Sequence, residues 1–357
     1  MNLQKSAIAA ALALSLLPCC AASAASPNNA VTNATAVTYT GTEIRFSDSG
    51  ITSAASDGVE IAGTALTIKK SGTYLLSGTC ADGSIKVKNG TTGVTLVLNG
   101  LTLTSKTTAP IICAKSTEVS IVAAANTENT LTDTENNNAD DGGAEAENAV
   151  IKCKDGSTVT LCGTGTLNVI ANGKNGIKSG ASTESEGDAN LTIRELTLNI
   201  TAPVNDAVNA EAALNVESGT LTIAAGDDAL HCDNAMNIGA EGTVGPSITI
   251  STCCEGLEGA AVNIYSGDVS IAATDDCINA ANPSLSGYSD TLNISGGTIV
   301  AYTTSGDGFD SNGDITISGG TVAVWTANAA DNSPLDADGT VTISGGTVLA
   351  AGGSGGM

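Results

Sequence analysis

Hydrophobic residues in the second half of the chain recur in short alternating bursts. The triplets Leu191-Thr192-Ile193, Leu214-Asn215-Val216, Met236-Asn237-Ile238, Val262-Asn263-Ile264, Leu292-Asn293-Ile294, Ile315-Thr316-Ile317 and Val341-Thr342-Ile343 repeat one strand, and their last residues lie 23, 22, 26, 30, 23 and 26 positions apart. The turn and strand start ISGGT follows at Ile294, Ile317 and Ile343, with looser copies at Glu217 and Tyr265. A second alternating strand comes next, with the apolar pairs Leu221/Ile223, Val269/Ile271, Ile299/Ala301, Val322/Val324 and Val348/Ala350. A third short strand centres on one apolar position: Ile177, Val208, Leu230, Leu257, Ile278, Phe309 and Leu335.

Three short strands with a two-residue period in each repeat describe one coil of a parallel β-helix. The expected fold is therefore all-β, a right-handed single-stranded parallel β-helix. A propeller blade needs about 40 residues, more than this period provides. Gly93–Leu103 reads as an early coil, residues 57–90 as a cap over the first strand edges, and Asp133–Asn148 and Ala181–Ala189 as surface loops. The chain ends at Met357 partway through a coil, so its C-terminus is expected to be truncated.

Composition agrees with many tight strands and no aromatic core: two Phe and one Trp stand among 42 Gly. Residues 1–25 are expected to be a signal peptide, with Lys5, an apolar run from Ala7 to Leu17, and Ala22-Ser23-Ala24 as cleavage site. The run is too short to span a bilayer, and no later segment is long enough. Secretion or a cell-surface location follows. Leu16-Leu17-Pro18-Cys19 loosely resembles a lipoprotein signal, leaving a lipid anchor at Cys19 or Cys20 as the alternative to free release. Residues 26–56, rich in Ala, Ser, Thr and Asn, read as a linker, and residues 57–357 as the β-helix domain.

Charge changes the picture most. The chain carries 13 basic and 37 acidic residues. Beyond Arg194 it has no Lys or Arg and 20 acids, a formal charge of −20 over 163 residues. Nucleic-acid binding is excluded, because phosphate contacts need basic side chains. Crowded carboxylates need water or a cation to offset them.

Aligned on the third-strand apolar position, two residues before it stand Asn175, Asp206, Asp228, Glu255, Asp276, Asp307 and Ser333, and one residue after it Lys178, Asn209, His231, Glu258, Asn279, Asp310 and Asp336. Asp227, Asp233, Asp275 and Asp338 add further acids. Stacked coils bring such hard oxygen donors together, and calcium accepts six to eight of them in flexible geometry. Acids that merely decorate solvated turns are the alternative; the fixed columns and the lack of nearby bases favour calcium. His231, the single histidine, replaces Asn or Glu in its column and reads as a polar ladder position. Two residues after the apolar position stand Cys153, Ser179, Ala210, Cys232, Gly259, Ala280, Ser311 and Ala337, so cysteine is one small residue among several and is expected as a buried thiol. Tyr302 and Trp325 share an outward place in successive coils. They form either a stacking platform for a sugar ring or an aromatic ladder covering a turn.

The stretches Gly72–Gly78 (GTYLLSG), Val94–Thr104 (VTLVLNGLTLT), Asn126–Asp133 (NTENTLTD), Gly163–Val169 (GTGTLNV) and Asn175–Ser179 (NGIKS), with the ISGGT and Asp-rich turns, resemble a bacterial family of carbohydrate-binding β-helix proteins of pectate-lyase-like shape. That resemblance covers residues from about 57 to the end. It implies calcium on acidic turns, pointing at Asp206, Asp227, Asp228, Asp275, Asp276, Asp307 and Asp310, and binding of cellulose and polygalacturonate rather than cleavage. The column alignment adds Glu255 and Asp336. Departures are the many cysteines, the missing Asp-Gly at Glu255, and the abrupt C-terminus.

Cleavage is the competing class. A pectate lyase in such a fold needs a base, usually Arg, and none follows position 194. A glycoside hydrolase needs two carboxylates, one with a raised pKa, whereas polar, metal-bound turns should not supply it. The expected activity is non-catalytic, calcium-dependent binding of an acidic pectin-type polysaccharide and, through the aromatic pair, of cellulose. A hydrolase or lyase acting on pectin is the first alternative and a structural surface adhesin the second.

Overall fold

The computed structural model describes residues 38–54, 57–180, 190–282, 290–327 and 332–353. The expected signal peptide, the Ala181–Ala189 loop and the last four residues lie outside them. The described residues are all-β: 31 strands, mostly parallel, join in one hydrogen-bonded sheet without a helix. No helix among them is long and apolar enough to cross a membrane.

The pairing follows the repeat. Ala213–Val216 stacks on Leu230–Ile238, which stacks on Leu257–Ile264, then Thr291–Ile294, Asp314–Ile317 and Val341–Ile343. The strand after the turn forms its own parallel ladder from Thr197–Ala202 through Thr220–Ala225, Ser247–Thr252, Asp268–Ala273, Thr298–Thr303 and Thr321–Thr326 to Thr347–Ala351. The third runs from Ile111–Cys113 through Ala149–Cys153, Asn175–Ser179, Val208–Ala210, Leu230–Ile238, Leu257–Ile264 and Ile278–Ala280 to Phe309–Ser311. Apart from register shifts between Ile223 and Ala224 and between Cys232 and Ala235, each strand is in register with its counterpart one repeat away, which makes the architecture β-helix-like.

Register follows from burial. With a period of two, a one-residue slip would turn every apolar side chain outward. Leu214, Met236, Val262, Leu292 and Ile315 pack one above another and are fully buried, as are Val208, Leu230, Leu257, Ile278 and Phe309. All join one core of Leu, Ile and Val. Outside it, Asn293, Asn263, Asn237 and Asn215 pass amide hydrogen bonds from one repeat to the next at 2.9–3.1 Å.

Two expectations need correction. Residues 42–53, assigned to the linker, are structured: Thr42–Ser47 pairs antiparallel with Gly50–Ser53 and parallel with Gly72–Cys80. Its pattern TEIRFS alternates, and Ile44 and Phe46 are buried in the core. The edge-covering segment therefore begins before residue 57 and includes the antiparallel hairpin of Val59–Ala62 and Ala65–Ile68. The insertion Asp133–Asn148 is also more than a surface loop. Asp133, Asn137 and Asn138 are buried. The Asp133 carboxylate accepts from Asn137 Nδ2 (2.8 Å) and from the amides of Asn172 (2.6 Å) and Gly173 (3.1 Å), so a buried charge ties the loop to the next coil. The eight cysteines from Cys80 to Cys277 are unpaired, and six of them are buried.

Candidate functional site

The strand after each acidic turn fixes where the carboxylates go. Because Val208, Leu230, Leu257, Ile278 and Phe309 point inward, the next residue of each points outward in the same register: Asn209 opposite His231, His231 opposite Glu258, Glu258 opposite Asn279, and Asn279 opposite Asp310. A bridge from Phe309 to Leu335 continues the series towards Asp336. Below, Lys152, Lys178 and Asn209 occupy the same column, so its charge changes sign along the ladder.

The turns before these strands interlock through their backbones. Ala207 N donates to Asp228 O, Ala229 N to Glu255 O, Gly256 N to Asp276 O and Cys277 N to Asp307 O, all at 2.9–3.1 Å. Side chains of the turns stack accordingly. Asp206, buried, accepts the Asp228 amide on Oδ1 at 3.2 Å and Asn209 Nδ2 on Oδ2 at 2.6 Å. Asp276 Oδ1 accepts the Asp307 amide at 2.6 Å, and Asp307 Oδ1 accepts the Ser333 amide. Asn279 Nδ2 reaches both Glu255 oxygens at 3.2 Å.

Among the described residues, three groups offer ligand atoms within 4.8 Å of one another: Asp206/Asp227/Asp228, Asp228/His231/Glu258 and Asp307/Asp310/Asp336. Six of the nine carboxylates expected as metal ligands therefore converge in trios, while Glu255, Asp275 and Asp276 stand between them. Glu258 and His231 were visible in the column but carried no metal assignment. The signal that could have found them is the spacing His231-Cys232-Asp233, which returns Asp233 to the same outward face. In the adjacent ladder Tyr302 and Trp325 are register partners, with ring centroids 5.8 Å apart and planes inclined by 33°. Trp325 is 39% exposed, so part of the aromatic pair remains open to solvent.

The family of carbohydrate-binding domain-containing proteins matches residues 62–356. The chain belongs to that family. A relative in Acetivibrio thermocellus, a carbohydrate-binding domain-containing protein, is 34% identical over 139 residues, 39% of this chain and 48% of its own length. The match thus spans about half of that relative. A solved structure, the polysaccharide lyase-like protein from C. thermocellum as a gadolinium derivative, aligns with 88% of this chain and 100% of its own at 23% identity and a TM-score of 0.45.

In this carbohydrate-binding domain the acidic column stores electrostatic tension. Burial first, then Glu258 and Asp228, push the Glu255 carboxyl up to about 8. Burial and the neighbouring Asp275, Asp310 and Asp307 raise Asp276 to about 7, against the hydrogen bond from the Asp307 amide. Burial with Asp307 and Asp336 raises Asp310 to about 6. Burial also raises Asp206, Asp227, Asp228 and Asp307. His231 goes the other way: burial alone would lower it, but its bonds to Asp228, Asp233 and Glu258 hold it as a cation, up to about 12.

These shifts set a sign for pH dependence. A carboxyl raised in the folded state holds its proton where the unfolded chain, titrating near 4, has lost it. The folded state then binds more protons, and stability falls as pH rises through that window. For Glu255, Asp276 and Asp310 the window runs from about 4 to about 8, 7 and 6. The contribution of His231, raised above its unfolded value, is complete below about 6.5 and is lost progressively from there up to about 12. In chelator, the melting temperature is expected to drop steadily between pH 5 and 8. Calorimetry that finds a flat or rising profile there contradicts this assignment of buried carboxyls.

Proposed function

We propose that this domain binds an acidic pectin-type polysaccharide such as polygalacturonate through calcium, with cellulose as a second glycan, outside the cell or at its surface and without cleaving either. The chain would wind as a right-handed β-helix with three strands per coil, as the repeat implies. One observation carries the reading: Asp307, Asp310 and Asp336 converge within 4.8 Å with no Lys or Arg anywhere beyond position 194. This donor set fits calcium, being all oxygen, borne on successive coils and partly exposed. Asp206/Asp227/Asp228 fits as a second all-oxygen set, although Asp206 already spends both oxygens on hydrogen bonds.

A surface of this charge repels a polyuronate. Bound calcium would supply the positive charge that protein and sugar carboxylates share. Cellulose has no carboxylate, so its place is the exposed part of Trp325 beside Tyr302, where a pyranose ring can stack.

A hydrolase has one observation in its favour. The polar turns were expected to leave no carboxyl with a raised pKa, yet burial holds Glu255 near 8, where a general acid could be protonated. Affinity gels containing polygalacturonate, cellulose or neither, run in calcium and in EGTA, separate these readings. Retention on polygalacturonate in calcium only, with no new reducing ends and no unsaturated uronide absorbance, is the expected result. Release of reducing ends identifies an enzyme, and equal migration in every gel a structural solenoid. Trp325→Ala should weaken cellulose retention about 2- to 12-fold, the equivalent of roughly 0.5–1.5 kcal/mol of ring contact, and leave calcium-dependent retention on polygalacturonate unchanged.

A further inference from the structure

His231 is caged. Its Nδ1 lies 3.3 Å from Asp228 Oδ2 and in closer contact with Glu258 Oε2, and its Nε2 lies 2.9 Å from Asp233 Oδ1. The imidazole is largely buried, with 20% of its side chain exposed. Its column neighbours on the adjacent coils are Asn209 and Glu258, so only this coil places a nitrogen ligand among the acids.

A protonated imidazole has two N–H donors and needs one carboxylate for each. Here two carboxylates from successive coils converge on one ring nitrogen, while a third holds the other. That is how a metal-binding histidine is arranged: one nitrogen faces the ion and its carboxylate partners, and the far N–H is held by a carboxylate that fixes ring orientation and raises basicity. The spacing agrees. A tetrahedral ion about 2.1 Å from both atoms would hold nitrogen and oxygen about 3.4 Å apart, close to the Nδ1–Oδ2 separation. Glu258 Oε2, in direct contact with Nδ1, would move away by about 1 Å to admit it. Imidazole with carboxylates suits zinc and its first-row neighbours better than calcium, which prefers oxygen alone.

We propose that Asp228, His231 and Glu258 form a site for a first-row transition ion of the zinc type, with Asp233 as the residue that orients the imidazole. As the ion bonds to Nδ1, the proton on that nitrogen leaves to solvent, and nothing is oxidised or reduced. The site does not depend on the calcium reading, although Asp228 belongs to both groups. The ion would tie the Leu230–Ile238 strand to Leu257–Ile264 midway along the acidic ladder.

The chain has one histidine, so its imidazole 15N signals belong to His231 without ambiguity. The experiment titrates zinc into the full chain with calcium saturating, followed by calorimetry and by those signals. Expected are displacement of the Nδ1 resonance complete near one equivalent, loss of that uptake in His231→Asn, and zinc binding about 10- to 100-fold weaker in Asp233→Asn. His231→Asn places there the residue that the preceding repeat carries, Asn209, and its far-ultraviolet circular dichroism and cooperative melting show whether it folds. Imidazole signals unmoved by zinc overturn the proposal, whatever the variants do. So does undiminished zinc uptake by folded His231→Asn. Cobalt in place of zinc identifies capture by the cysteines: a thiolate charge-transfer band with an unmoved imidazole also overturns it. Loss of calcium binding with zinc binding intact would refute the calcium reading alone.

Discussion

Replacing about 10 mM calcium with EGTA is expected to lower the melting temperature by roughly 3–10 °C at pH 8. Extracellular calcium modules, the class proposed for this domain, bind with dissociation constants of about 10⁻⁴ to 10⁻³ M, so that concentration is about 10 to 100 times the constant. One such site adds roughly 1.4–2.7 kcal/mol to folding stability, and each kcal/mol shifts the midpoint of a domain this large by about 2–4 °C. The effect should grow with pH, because the carboxyls that calcium would meet are the ones burial keeps protonated. Asp310→Asn gives the sharper test. Asn279 stands in register with Asp310 one coil away, so asparagine suits that position. The variant should bind one calcium fewer by calorimetry and lose part of the EGTA response. In EGTA it should melt no lower than the parent, since it removes a carboxylate crowded by Asp307 and Asp336. A parent protein indifferent to EGTA, with no calcium heat, sinks the calcium reading.

Phe309→Ala should be among the most damaging core changes, costing about 3–5 kcal/mol. Phe309 is fully buried, the largest inward side chain of the third ladder, between Ile278 below and Leu335 above. In a stack of parallel strands that pairs repeat to repeat, strain passes first to the adjacent repeats, so the cavity should loosen the upper end first. Asp307 and Asp310 flank Phe309 in sequence, and Asp336 follows Leu335. Calcium uptake by that trio should therefore weaken with stability, while uptake at Asp206/Asp227/Asp228 persists. Chemical denaturation followed by calcium calorimetry checks both. A loss below about 1 kcal/mol would mean that the Phe309 pocket collapses around alanine.

Much of this was legible because the repeat is strict. The apolar positions Val208, Leu230, Leu257, Ile278 and Phe309 align by eye, and their alignment assigns Asn209, His231, Glu258, Asn279 and Asp310 to one column, the register found in the fold. The start of the folded region was less legible. Thr42–Ser47 has only two inward residues, Ile44 and Phe46, and sits in a Ser/Thr-rich setting that masks a short strand. The buried role of Asp133 was hidden too, because its partners Asn172 and Gly173 lie 39 and 40 residues away.

For the site, the chain alone determined which acids share a column, since side-chain direction in a strand follows from a period of two and register follows from burial. It also determined the sign of the field, because charge is additive and needs no coordinates. Only the tertiary structure decided which column members meet. Stacking of each turn and its following strand on the next brings Asp307, Asp310 and Asp336 into one trio, leaves Glu255 against Asn279, and gathers Asp228, Glu258 and Asp233 around His231. Burial depth was likewise undetermined until the coils stacked, and desolvation, which depends on every neighbour at once, is what lifts Glu255 and Asp276 out of the usual carboxylate range.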